Sequence, residues 1–219
     1  MIRALLFDAA NTLIHKPDLW TRMNAVLLEH GYQVEPTNLK RTHKTLSECI
    51  AFPDKTDAGF YGYFNAELLL ALGVIPESSL LDDLFQACTY LPYQLFEDVD
   101  GLAKMNLPVS VLSNFNSGLP SLLGELFPFA LQHVISSEAE QLRKPDLAFY
   151  QFALDKLGLQ GSEVLYVGDS LKLDIAPARK LGIEAFLIDR DTFYPAAKNR
   201  ISTLHEVPAL VNDLNLKQR

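Results

Sequence analysis

Hydrophobic positions follow two rhythms along this chain of 219 residues. The first is a short, nearly continuous apolar run, the pattern of a strand covered on both faces. Residues 2–7, IRALLF, open the chain this way and stop on Asp8. The pattern returns in LPVSVLSN, HVISSE, EVLYVGDS and IEAFLID. The second rhythm is helical. PDLWTRMNAVLLEHGY opens with Pro17-Asp18, sets Leu19, Met23, Val26 and Leu27 at helical spacing, and stops at Gly31. EPTNLKRTHKTLSECI begins with a proline and a Thr/Asn cap, and DAGFYGYFNAELLLALG and ESSLLDDLFQACTY add two further helices.

The order of the two rhythms sets the architecture. Residues 17–92 carry only helical patterns, whereas beyond residue 93 strands and helices alternate. SGLPSLLGELF and LHEVPALVNDL read as helices, and so does KPDLAFYQFALDKLG, entered through Lys144-Pro145 and ended by Gly158. LKLDIAPARKLG can be helical only if Pro177 sits in the first turn. This predicts an α/β fold: a doubly wound parallel, Rossmann-like sheet core from 1–16 and 93–219, with an inserted all-helical domain over 17–92. Ligands of such sheets gather beyond the carboxyl ends of the strands.

Composition narrows the partners. Hydrophobic residues at 48% and charged residues at 21% are ordinary for a globular chain. Lys plus Arg total 19 against 27 Asp plus Glu, and this excess of acid argues against a nucleic-acid partner. A small anionic substrate needs only a locally positive pocket. Cys49 and Cys88 have neither metal-ligand spacing nor a disulfide framework, so they are expected to be small apolar fillers. No stretch is long and apolar enough to span a bilayer, and MIRALLF is too short for a secretory signal. A cytoplasmic location without a membrane partner is the expectation.

Chemistry collects at the strand ends. The first strand ends at Asp8, the next at Ser113-Asn114, and EVLYVGDS at Gly168-Asp169-Ser170, with Asp174 just beyond and Lys144 ahead of a helix. Singly, each has a bland reading as a turn former, a helix cap or a solvated lysine. Together, three carboxylates converging on one crevice would repel unless a hard cation such as Mg²⁺ joined them. An anionic, oxygen-rich substrate follows, most simply a phosphoryl group.

The segments FDAANTL, VLSN, RKPD and VGDSLKLD together resemble the four motifs of the haloacid dehalogenase (HAD) superfamily, and the helical block matches that superfamily's inserted cap. The resemblance implies a nucleophile at Asp8 that forms an aspartyl-phosphate, a hydrogen bond from Ser113 helped by the amide of Asn114, and charge neutralisation by Lys144. It implies Mg²⁺ held by Asp8, the Ala10 carbonyl and Asp169, with Asp174 orienting the metal's waters, while Thr12 holds the loop. Asn11 replaces the family's usual glycine, asparagine being the next best residue for a left-handed backbone.

Ala10 departs from the family's phosphatases, which carry at that place an aspartate that protonates the leaving oxygen. Losing that acid is worth roughly 10²–10⁴-fold, felt most by alkyl phosphates. His15 or His43 could substitute for it. Three other readings stand beside a phosphatase. A carbon–phosphorus hydrolase also carries alanine here and needs a cap lysine, for which Lys40, Lys44 and Lys55 are candidates. A 2-haloacid dehalogenase would use Tyr150 and Arg41, but those enzymes need no metal and replace the acid that stands here as Asp169. A binding protein on the same fold would need none of this turnover. The aromatic run Phe60 to Phe64, with Leu68, reads as a buried helical stripe rather than a substrate wall.

Overall fold

The structure, a computed structural model, describes residues 1–217. It forms two compact units: Met1–His15 with the segment from Leu95 onward, and Lys16–Gln94. Lys16, Tyr93 and Gln94 therefore group with the helical unit.

The sheet unit opens with β1 (Ala4–Phe7), all four residues buried, and β2 (Ile14–His15) marks the chain's exit. The helical unit follows with α1 (Leu19–Glu29), α2 (Pro36–Cys49), α3 (Ala58–Ala71) and α4 (Ser78–Cys88), and β3 (Gln94–Leu95) marks the return. Then come β4 (Val109–Ser113), α5 (Leu119–Leu126), β5 (Val134–Ser136), α6 (Ser137–Glu140) and α7 (Leu147–Leu157). The chain closes with β6 (Val164–Gly168), α8 (Ala176–Lys180), β7 (Glu184–Ile188), β8 (Arg200–Ile201) and α9 (Val207–Lys217).

Six strands form one sheet in the order β5-β4-β1-β6-β7-β8, and every pairing is parallel. The three central strands, β1, β4 and β6, are buried along their whole length because a parallel sheet is covered on both faces. Leu6 of β1 lies opposite Tyr166 of β6, and both join Phe149 and Tyr150 of α7 in one buried cluster. Gly158 ends α7 with φ of 67°, the left-handed geometry that glycine adopts without a Cβ penalty. The two-residue β8 lay beyond the reach of the sequence pattern, since it carries no apolar run.

One expected helix is two elements. Leu171–Ile175 is a wide π turn, closed by Ile175 N donating to Ser170 O at 3.1 Å, and α8 begins only after it. Pro177 falls in the first turn of α8, the one place a helix tolerates it.

The helical unit packs around Met23, Leu27, Leu39, Leu68, Leu80 and Leu84. Its second helix is capped by Glu35, whose carboxylate accepts from Thr37 N at 2.8 Å and Asn38 N at 3.1 Å, so Thr37 and Asn38 lie inside the first turn rather than at the cap. Phe64 and Leu68 are buried and Phe60 is half-buried, which makes the stripe part of the packing. Cys49 corrects the expectation of an apolar filler: it ends α2 exposed, while Cys88 is half-buried at the end of α4. No described helix is long and apolar enough to cross a membrane.

Candidate active site

The sheet order places β1 between β4 and β6, where the chain's connections turn to opposite sides, so the carboxyl ends of these three strands border one crevice. Asp8 leaves β1 with its amide still bonded to Val167 O at 2.9 Å. The backbone then wraps tightly around the Ala9 carbonyl, which accepts from the amides of Thr12, Leu13 and Ile14. Asn11 takes the left-handed conformation that this wrap needs, with φ of 61°. No hydrogen bond among the described residues ends on the Ala10 carbonyl.

Side chains from separate segments meet at Asp8. Its Oδ1 accepts from Ser113 Oγ at 3.0 Å and from Lys144 Nζ at 2.5 Å. Lys144 Nζ also reaches Asp174 Oδ1 at 2.6 Å. Asp174 takes a second donor on the same oxygen, the Tyr166 hydroxyl at 2.7 Å, and its Oδ2 accepts from Ser170 N at 2.9 Å. Asp8, Lys144 and Asp174 are only 5%, 4% and 1% exposed, so their charges are settled by each other rather than by water. Burial pushes the Asp8 carboxyl up to about 6; Lys144 opposes that rise, and Asp174 and Asp169 add to it. Burial also works against the Lys144 ammonium, yet Asp174 and Asp8 hold its pKa above the ordinary lysine value. The Tyr166 hydroxyl, buried and facing Asp174, is held well above its ordinary value and stays a neutral donor.

Local geometry explains how β6 delivers its acids. A Cβ on Gly168 would lie 2.4 Å from Asp174 Cγ, so only glycine lets the carboxylate fold back against the strand. The π turn spaces Asp174 from Asp169, with Ser170 Oγ accepting from Leu173 N at 2.9 Å and the Tyr150 hydroxyl donating to Leu173 O. Such bulged turns concentrate at functional sites. Asp8, Asp169 and Asp174 each offer an oxygen, and these oxygens lie within 4.8 Å of one another. With the Ala10 carbonyl, on which no hydrogen bond ends among the described residues, this all-oxygen set fits a hard cation such as Mg²⁺.

Other expected site residues take supporting places. The Asn114 side chain clamps the Lys144 backbone from both sides, donating to its carbonyl at 2.9 Å and accepting from its amide at 2.8 Å. Thr12 is fully buried; its Oγ1 has no partner among the described residues, and its carbonyl accepts from Arg190 Nη2 at 3.0 Å. Of the substitutes for the acid, His15 is stacked on Phe96 at 4.1 Å and held below its ordinary pKa by burial and by Arg190, while His43 lies in the helical unit. Tyr150 is buried on α7, and Arg41 is exposed on α2.

Sequence reasoning missed the brace behind the loop. Arg190 makes a forked pair with Asp98, at 2.7 and 3.0 Å, and its guanidinium lies 3.8 Å from the centre of the Phe96 ring. Asp98 also accepts from Thr203 Oγ1 and Leu204 N. Hydrogen bonding by Arg190, Thr203 and Leu204 outweighs the effect of burial on Asp98 and holds its pKa below the usual carboxylate range. These partners lie too far apart along the chain for any motif to flag them.

A family model described as haloacid dehalogenase-like hydrolase matches residues 2–182. The chain belongs to the haloacid dehalogenase-like hydrolases. Within this family it is 32% identical over 105 residues to haloacid dehalogenase-like hydrolase domain-containing protein 3 of Danio rerio, a match covering 45% of this chain and 43% of that protein. It is 43% identical over 58 residues to the glyceraldehyde 3-phosphate phosphatase of Methanocaldococcus jannaschii, covering 26% of this chain and 25% of the relative. The chain thus spans less than half the length of these two relatives. A match to (S)-2-haloacid dehalogenase 1 of Pseudomonas sp. (strain CBS-3) covers 96% of both chains at 26% identity. Among solved structures, the L-2-haloacid dehalogenase of Xanthobacter autotrophicus shares the fold with a TM-score of 0.66 at 22% identity, covering 97% of this chain and 99% of that one.

Proposed function

We propose that this HAD-like hydrolase is a Mg²⁺-dependent phosphatase of a small phosphorylated metabolite, working through covalent capture on Asp8. The observation that carries the reading is Asp169, whose carboxylate joins those of Asp8 and Asp174 within 4.8 Å. Metal-free displacement has no use for that third acid. Asp8, Asp169, Asp174 and the Ala10 carbonyl would hold the cation, which when bound offsets negative charge on the carboxylates and on the phosphoryl oxygens.

The chain's own residues divide the remaining work. Ser113 and Lys144 both bond Asp8 Oδ1, which leaves Oδ2 as the oxygen available for attack. As the Oδ2–phosphorus bond forms, the bond from phosphorus to the leaving oxygen breaks, and that oxygen departs with the electron pair. The Lys144 ammonium stands beside the reacting carboxylate and opposes the charge that builds on the transferring group. Water then cleaves the acyl phosphate and restores Asp8. Ala10 can neither give a proton to the leaving oxygen nor take one from the attacking water, whose proton passes to solvent or to the released phosphate. Phosphates with stable leaving groups, acyl or aryl, are therefore the favoured class. The partial match to a glyceraldehyde 3-phosphate phosphatase supports phosphoryl chemistry.

Purified protein assayed with acetyl phosphate and p-nitrophenyl phosphate tests the reading. Hydrolysis should need Mg²⁺, stop on addition of EDTA, and vanish in Asp8→Asn; activity surviving that change would remove Asp8 as nucleophile. Ala10→Asp should speed alkyl phosphates by roughly 10–100-fold, part of what a positioned general acid supplies.

A second reading has its own support in the match to (S)-2-haloacid dehalogenase 1, which runs nearly the whole length of both chains. There Asp8 Oδ2 would displace halide from carbon without a metal. Chloride release from 2-chloropropionate in EDTA would establish it and retire the phosphatase.

A further inference from the structure

We infer that Tyr166 is a positioning residue that aims Asp174 at the cation, an inference that rests on the metal-dependent reading above. Tyr166 lies in β6, fully buried, in the core cluster that also holds Leu6 of β1, Leu112 of β4 and Phe149 of α7. A phenylalanine would fill that core equally well, and burying a hydroxyl is costly unless it finds a partner. Here the partner is specific: the hydroxyl donates to Asp174 Oδ1 at 2.7 Å. The ring meets Tyr150 edge-on at 5.8 Å, which fixes where the hydroxyl points.

The consequence lies in how the two Asp174 oxygens are spent. Oδ1 takes both Lys144 Nζ, at 2.6 Å, and Tyr166. Among the described residues Oδ2 takes only the Ser170 amide, at 2.9 Å, and keeps acceptor capacity for a cation or a cation-bound water. Tyr166 and Lys144 thus decide which oxygen stays open. Lys144 alone cannot do this reliably, because it shares its ammonium with Asp8 Oδ1 at 2.5 Å and would be drawn toward an anionic substrate. The Tyr166 hydroxyl also lies 3.4 Å from Lys144 Nζ, so it touches both members of the pair. Tyr166 keeps its hold on Asp174 while Lys144 is engaged elsewhere. Partners of this kind behind a metal ligand typically contribute about 10–100-fold to metal affinity.

Calorimetric titration of Mg²⁺ into EDTA-treated full-length protein tests the inference without any turnover. Tyr166→Phe should weaken Mg²⁺ binding roughly tenfold or more. Its kcat should return toward wild type once Mg²⁺ is saturating, a split that general loosening of the fold would not produce. An unchanged Mg²⁺ Kd in a folded Tyr166→Phe would overturn the role. Should that variant fail to fold, Tyr166→3-fluorotyrosine keeps ring and hydroxyl. Its fluorine NMR resonance should move on Mg²⁺ addition, and a stationary signal with Mg²⁺ bound would overturn the role as well. Absence of Mg²⁺ uptake by the wild-type protein would instead remove the metal site itself, and the inference with it.

Discussion

In the helical unit, His43 sits edge-on against Trp20 at 5.0 Å and Phe64 at 4.9 Å. Burial, aided by the nearby Lys44, pushes its imidazole down to about 4, so it is neutral at physiological pH. In the sheet unit, Lys144 is also buried yet remains charged, because two carboxylate oxygens lie within 2.6 Å of its nitrogen. Burial opposes charge in both places, and the outcome differs with the neighbours. Aromatic rings offer the histidine no opposite charge, and it becomes a packing element that happens to carry nitrogen. Carboxylates give the lysine a reason to stay ionised, and the result is a charged cluster poised for chemistry.

Breaking the charged cluster should have the largest effect. Lys144→Met leaves Asp8 and Asp174 buried beside each other without their cation. Hydrolysis should fall by at least about a thousandfold, and denaturant unfolding at neutral pH should show a loss of roughly 3–5 kcal/mol. Stability equal to wild type would mean that the pair does not hold these acids in place. A smaller effect is expected from crowding the cluster. Gly168→Ala puts a methyl 2.4 Å from Asp174 Cγ, and the forced shift should cost about 1–3 kcal/mol and weaken Mg²⁺ uptake in the same titration.

The smallest effect belongs to the histidine, and its sign follows from its neutrality. Folded His43 stays unprotonated down to about pH 4, whereas the unfolded side chain takes a proton near 6.5. Its contribution to stability is complete above pH 6.5 and drains away as pH falls toward 4. His43→Leu should flatten the stability-against-pH curve across that window by roughly 1–2 kcal/mol, screening at this half-buried site reducing the effect. An unaltered slope would show that His43 is solvated rather than caged.

Much of the candidate site's placement could be read from the chain because parallel strands end on one side of a sheet. Asp8, Ser113 and Asp169 each follow an apolar run directly, and the structure brings their segments to neighbouring strand ends. Asp174 and Lys144 were legible through their motifs. Tyr166 was not: within VLYVG it reads as one more buried strand residue, and nothing local shows that its hydroxyl meets an aspartate. Arg190 and Asp98 escaped for another reason, since their pairing spans 92 positions. Asn114 was expected to contribute its amide; its side chain turned out to clamp the Lys144 backbone, a contact across 30 positions.

Periodicity and punctuation are local properties, carried by residues a few positions apart, and they were enough to specify alternating strands and helices, an inserted helical block and acids at the strand ends. Which oxygen of Asp8 or Asp174 is occupied and which stays open is settled by contacts of about 3 Å, most of them between segments far apart in the chain and one, from Tyr166 to Asp174, across eight positions. Only the folded sheet brings those segments together. Hydrogen bonds and ion pairs depend on angles and on tenths of an ångström, quantities that a pattern of apolar and polar letters does not carry.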